Sequence, residues 1–270
     1  FRFALVPNIG RMRYEFGNEA YVGSMVMTRD FSDGHNYLVG LDWNYKFWGN
    51  WYFSGEGFLS HTKEIDDPEL FQSQRTFGST RFTAGLDGEL YSGDGIHLNL
   101  SHQSREYQFS VTLNNFSPTY QTYNGLFSLT NYRQVAMQHG YTVYPQNSIL
   151  ERARIQVSSN LMFNYDGIKK EQYVLPTLCL QFKGQTHVDL NYLLVKDELF
   201  AGVQFRKVQR FMGVVNSEPL NEIALSLDGQ IGKFIYRSSS PEIGVGHQFN
   251  STLTIRPTSK LKVEFSYSRA

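Results

Sequence analysis

The sequence predicts an all-β chain, an antiparallel transmembrane up-and-down β-barrel, on three observations. Residues 36–63 alternate in two long runs about a glycine turn, short turns alternate with long connections along the chain, and no apolar stretch approaches the length of a membrane helix. In the first run Tyr37, Val39, Leu41, Trp43, Tyr45 and Phe47 are apolar, while Asn36, Gly40, Asp42, Asn44 and Lys46 fall between them. A period of two gives a strand with one apolar and one polar face. A membrane strand needs roughly 9 to 11 residues, apolar toward lipid and polar toward a lumen, and this run is long and aromatic enough to serve.

The run Trp51 to Lys63 follows Gly49-Asn50. If Glu56 is to share the polar face with Asp42, the turn between them holds an odd number of residues, which a three-residue loop with glycine at positive φ satisfies. The same parity predicts turns at Ser92-Gly93-Asp94, Pro145-Gln146-Asn147, Lys183-Gly184-Gln185 and Pro257-Thr258-Ser259, with Phe82 to Leu90 as a strand entering the first. Gly17-Asn18 and Asp166-Gly167 read as two-residue hairpins. A strand near Asn131 to Tyr144 is needed between Gln108 and Ser148, and weaker patterns mark Asn221 to Ile231 and Lys233 to Ser238. Long connections are expected at Glu64 to Ser79, Phe109 to Thr130 and Asp197 to Leu220. One-sided asymmetry of this kind is characteristic of outer-membrane barrels. The whole, residues 1–270, reads as one barrel domain of about fourteen strands, cut at both ends and part of a larger barrel.

Composition narrows the function classes. Lys plus Arg equals Asp plus Glu at 25 each, so no global field favours nucleic acid. Mean hydropathy is −0.38, which excludes a helical membrane protein but not a barrel, whose alternation keeps the average low. Cys179 is the single cysteine and reads as a packed strand residue. The seven histidines (His35, His61, His97, His102, His139, His187, His247) show no zinc spacing, and no nucleophile motif occurs. No metal, cofactor or catalytic set is predicted, and the chain reads as a non-enzyme.

The polar face carries Asp42, Asn44, Lys46, Glu56, Arg81, Asp87, Glu89, Arg105, Arg152 and Arg154. These are candidate lumen-lining residues; the plainer reading is a ladder of cross-strand ion pairs. Trp43, Tyr45, Phe47, Trp48 and Trp51 cluster about one turn and suit an interfacial aromatic girdle, with a sugar-stacking platform as the alternative. Glu64, Asp66, Asp67 and Glu69, and the pair Asp30 and Asp33, lack the spacing of a calcium loop and read as solvated acids. Residues 114–131 are too apolar for a free external loop and are expected to fold inward as a constriction or plug, or to cover the barrel mouth.

Arg13-Tyr14-Glu15-Phe16-Gly17-Asn18, then Tyr21-Val22-Gly23, Thr28-Arg29-Asp30 and Asn36-Tyr37-Leu38-Val39-Gly40-Leu41-Asp42-Trp43, together with Arg256-Pro257-Thr258-Ser259-Lys260-Leu261, resemble the barrel domain of an uncharacterised bacterial outer-membrane family. In that family a domain similar to family 9 carbohydrate-binding modules precedes the barrel. The resemblance implies that a carbohydrate-binding-like domain precedes these residues, and it carries over no catalytic residue; the barrel reading itself leads to expecting a Gram-negative outer membrane, with lipid and lipopolysaccharide as surroundings and a small polar solute or saccharide as ligand. A solute channel or a membrane anchor is the expected role. The alternatives are a carbohydrate-binding platform with a plugged barrel and a soluble β-sandwich or lipocalin-like binder.

Overall fold

The computed structural model describes residues 6–17, 19–123, 129–146 and 148–270. Asn18 of the first predicted hairpin, residues 124–128 of the inward segment and Asn147 of the Pro145-Gln146-Asn147 turn lie outside the described residues. Among the described residues there are sixteen strands and no helix, hence no helix long and apolar enough to cross a membrane. In chain order they are β1 (Val6–Glu15), β2 (Tyr21–Asp30), β3 (His35–Phe47), β4 (Trp51–Lys63), β5 (Leu90–Gln103), β6 (Tyr107–Phe116), β7 (Tyr132–Val143) and β8 (Leu150–Phe163). There follow β9 (Lys169–Phe182), β10 (Thr186–Leu193), β11 (Val195–Phe200), β12 (Val203–Phe205), β13 (Arg210–Leu220), β14 (Ile223–Tyr236), β15 (Glu242–Thr258) and β16 (Leu261–Arg269).

One antiparallel sheet contains them all. Its path runs β1 to β10 and then β13 to β16, each strand beside the next, while β11 extends along β9 and folds back on β12. The path therefore has two ends, and among the described residues no ladder joins β1 to β16. The strict alternation of short and long connections is not kept, since β2–β3, β8–β9 and β14–β15 are joined by four or five residues, but the two longest connections fall on one side. Those joining β1–β2, β3–β4, β5–β6, β7–β8, β9–β10, β13–β14 and β15–β16 are short turns, while 64–89 and 117–131 both belong to the other set.

The parity argument holds at the turn where it began. Phe47 pairs with Trp51 and Asp42 with Glu56 across the three residues Trp48, Gly49 and Asn50, with Gly49 at φ 70°. The turn Lys183-Gly184-Gln185 and the strand at 132–143 also stand where predicted. Other expectations are corrected. Ser92-Gly93-Asp94 is not a turn: it lies inside β5, which pairs with β4 from Leu90↔Lys63 to His102↔Trp51. Gly93 serves close approach instead, since a Cβ there would collide with the backbone of Tyr120. The predicted strand Phe82 to Leu90 is consequently part of a long connection, and the true turn falls at Ser104-Arg105-Glu106, followed by β6, which the alternation pattern did not reveal. Asp166-Gly167 sits in a five-residue connection, 164–168, closed by Asn164 accepting from Gly167 N–H and donating to the carbonyl of Ile168. The last turn is Ser259-Lys260, starting two residues and ending one residue later than predicted, with a bulge between Ile255 and Thr258 in the strand before it. The 221–238 region is one strand, β14, rather than two. The 197–220 connection contains the β11–β12 hairpin and β13.

The chain forms two compact units. One comprises Phe1–His102, Ser110–Ala136 and Met162–Lys169; the other comprises Gln103–Phe109, Met137–Leu161 and Lys170–Ala270. In the first, one sheet face exposes Val26, Val39 and Leu59 in a register row, with Leu59 at 67% exposure. The opposite face buries polar side chains: Asn36 is 2% exposed and Thr62 0%. Its small apolar cluster is Leu38, Phe116, Tyr120 and Tyr132, with Met25, Met27, Phe58 and Met162 against it. In the second unit Tyr192, Phe211 and Ile231 form another exposed register row. Both units thus leave an in-register apolar row exposed, which a water-soluble sheet usually covers.

Candidate functional site

Strand alternation places Asn36, Asp42, Asn44 and Lys46 on the same face of β3, away from Val39 and Leu41. Asp42 pairs with Gly23 on β2, where any Cβ would meet the Asp42 carboxylate, so glycine opens a path across β2. Through it Asp42 Oδ2 reaches Arg11 on β1 at 2.7 Å. On its other side Asp42 pairs with Glu56, and Glu56 with His97. His97 Nδ1 lies 2.6 Å from Asn114 Oδ1, and Asn114 Nδ2 donates to Gln134 Oε1 at 2.8 Å. The result is a continuous polar belt over β1 to β7, with a recess of about 350 Å³ among Arg11, Asp42, Glu56 and His97. Nearer the β3–β4 turn, Lys46 Nζ bonds Glu19 Oε1 at 3.0 Å and Asn44 Nδ2 donates to the Glu19 carbonyl at 2.6 Å. Hydrogen bonds from Lys46 and Tyr52 hold the Glu19 carboxyl below its ordinary range.

Above the belt, the chain leaving β6 folds onto this face. Ser117 N–H donates to the Asp94 carbonyl and its Oγ accepts from Asp94 N–H. Thr119 Oγ1 donates to the Ser92 carbonyl at 2.6 Å, Gln121 N–H to Ser60 Oγ at 3.3 Å, and Tyr123 N–H to Asn36 Oδ1 at 3.0 Å. The Arg29 guanidinium donates to the Tyr123 carbonyl. Four strands, β2 to β5, therefore hold residues 117–123 against this sheet face. Burial of the Tyr120 ring pushes its hydroxyl up to about 12. Of the segment 114–131, residues 114–116 end β6 and residues 117–123 lie on this sheet face.

The connection 64–89 folds on itself, with Asp66 bridged to Asp87 and Thr76 to Thr83. Thr83 then fixes two acids: its N–H donates to Glu89 Oε2 at 2.6 Å and its Oγ1 to Asp87 Oδ2 at 2.9 Å. Glu64 N–H donates to the Glu89 carbonyl, and Tyr91 Oη donates to Glu64 Oε1 at 2.7 Å. Carboxylate oxygens of Glu64, Asp87 and Glu89 consequently lie within 4.8 Å of one another. Burial, reinforced by the Asp87 and Glu89 charges against the opposing Tyr91 hydrogen bond, raises the Glu64 carboxyl to about 7.

Several expected lumen residues stand elsewhere. Arg81, Asp87 and Glu89 are in the connection rather than on a strand, because β5 begins only at Leu90. Arg105 is in the β5–β6 turn, its guanidinium 4.4 Å from the Tyr144 ring centre. Arg152 and Arg154 are on β8, with Arg154 close against Gly140. Glu64, read from the sequence as a solvated acid, is buried, and the acids brought to it are Asp87 and Glu89, over twenty residues away and invisible to any spacing rule. Asp30 instead accepts from Tyr37 at 2.7 Å. Four of the five aromatics meet at the β3–β4 turn, where Tyr45 stacks on Phe47 at 6.0 Å and Phe47 meets Trp48 at 5.5 Å and Trp51 at 6.5 Å, while Trp43 packs on Phe53 at 5.9 Å. No protein-family model matches the chain, and no curated protein matches it.

Proposed function

We propose that these strands are the wall of a transmembrane β-barrel in a Gram-negative outer membrane, passing small polar solutes through a bore narrowed by residues 117–123. The observation that carries this reading is the inverted burial: in-register apolar rows lie exposed on one face while Asn36, Ser60, Thr62 and Thr142 are buried on the other. Water penalises exposed apolar rows, whereas hydrocarbon penalises unpaired backbone amides by several kcal/mol each, so in a bilayer β1 and β16 are paired rather than free. The two longest connections, 64–89 and 117–131, fall on one side, which agrees with external loops opposite periplasmic turns. On this reading Trp43, Tyr45, Phe47, Trp48 and Trp51 form a girdle at the periplasmic interface, and Asp42, Asn44, Lys46 and Glu56 line the bore.

The test is the full-length protein in planar bilayers, where discrete conductance steps are expected and silence would overturn the channel. Membrane extraction by carbonate alone, without detergent, would overturn the barrel itself. One observation favours a second reading: residues 117–123 are bonded to four strands, as a fixed plug would be. That reading, an anchor for a carbohydrate-binding-like domain, requires a silent bilayer together with saccharide binding by the intact protein.

A further inference from the structure

We infer that Glu64, Asp87 and Glu89 form a binding site for a hard divalent cation of the calcium class. Their oxygens lie within 4.8 Å of one another, about twice the 2.3–2.6 Å of a calcium–oxygen bond, so one ion can touch all three. None of the three is ion-paired to Lys, Arg or His among the described residues. Independently of the clustering, Glu64 is 3% exposed and its Oε2 is fully buried with no hydrogen-bond partner. A buried carboxylate oxygen needs a partner, and its Oε1 is already engaged by Tyr91. Asp87 and Glu89 each give one oxygen to Thr83, which sets their orientation as outer-shell partners do for metal ligands. The other oxygen of Glu89 remains for an ion, and an ion replacing the proton that Glu64 shares with Asp87 frees an Asp87 oxygen as well.

The donor set selects the cation. It is all oxygen, without imidazole or thiolate, which disfavours zinc and copper. The exposed side chain of Asp87 leaves one side open to water, which suits the six to eight ligands of calcium better than a closed protein cage. An ion here joins the end of β4, the connection 64–89 and the start of β5 at one point. The site does not depend on whether the strands span a bilayer.

The experiment uses the full chain in detergent, stripped with EDTA and free of lipopolysaccharide. Terbium, excited through the Tyr91 ring beside Glu64, reports occupancy directly, and calcium is then added as competitor. Sensitised terbium emission displaced by calcium, one equivalent of calcium by titration calorimetry, and at least tenfold slower hydrogen exchange in 64–89 with calcium are expected. Glu64→Gln and Asp87→Asn should each weaken calcium binding at least tenfold while leaving the far-ultraviolet circular dichroism unchanged. Wild-type protein without calcium-displaceable emission overturns the proposal, as does either variant binding calcium like wild type, or zinc outcompeting calcium. Should a variant fail to fold, the wild-type displacement and exchange measurements still decide.

Discussion

Two connections on the same sheet face opposite problems. The β3–β4 turn, Trp48-Gly49-Asn50, touches little beyond its own strands, and Asn50 N–H closes it on the Trp48 carbonyl. Residues 117–123 are held instead by Arg29, Asn36, Ser60, Ser92 and Asp94, drawn from four strands. A turn is thus specified by its own φ angles, and the loop 117–123 by residues up to 94 positions distant. Changes to the first should cost a local amount, and changes to the second should propagate.

The largest expected effect separates the two outright. Replacing residues 118–130 with a short Gly-Asn linker removes the inward segment but none of the strands. If the loop narrows a bore, single-channel conductance should rise several-fold, with the detergent-solubilised protein keeping its strand content by circular dichroism. Unchanged conductance would remove the loop from the permeation path. A narrower break is Gly93→Val. The new side chain meets the Tyr120 backbone, and overpacking of this kind costs roughly 1–3 kcal/mol. The expected readout is proteolytic cleavage at 117–123 with the cores of β4 and β5 still protected; an uncut loop would contradict the contact.

The same contrast explains what could be read from the chain. Alternation along β3 and β4, their turn, the strand at 132–143 and the one-sidedness of the long connections all follow from period and local turn chemistry. Ser92-Gly93-Asp94 misled because its residues have turn chemistry, while Gly93 is there for a loop arriving from residue 120. β2 likewise looks ill-patterned in sequence, carrying Val or Met on both faces. Met25 and Met27 share the face of Leu38 and pack against its cluster with Phe116 and Tyr120, so the broken pattern records the loop folded onto that face. The acid cluster was hidden for a related reason: Glu64 meets Asp87 and Glu89 only through the fold of 64–89.

A graded effect sharpens the picture of that connection. Glu64 is raised from 4.5 to about 7, so between those values the folded chain holds a proton that the unfolded chain has lost. The groups facing it are Asp87, Glu89, Tyr91 and Tyr123, none of them basic. Proton linkage then makes stability fall as pH rises from about 4.5 to about 7, and stay level above. In EDTA, intrinsic-rate-corrected hydrogen exchange in 64–89 should be slower at pH 5 than at pH 8, and Glu64→Gln should abolish the difference. Faster exchange at pH 5 would reverse the sign and exclude desolvation as the cause.

The smallest expected effect belongs to the self-contained turn. Gly49 stands at φ 70°, and nothing lies within 4 Å of the place a Cβ would take, so Gly49→Ala meets no neighbour and costs only backbone strain, about 1 kcal/mol. Gly49→Asn should recover part of that, since asparagine tolerates the left-handed region better than alanine. Refolding into detergent, followed by Trp48 and Trp51 fluorescence, should shift its urea midpoint slightly for alanine and less for asparagine, while conductance stays unchanged. A loss as large as that of Gly93→Val would mean that the turn, too, is held from outside its own residues, and the distinction between locally specified turns and strand-anchored loops would fail at the place where it is cleanest.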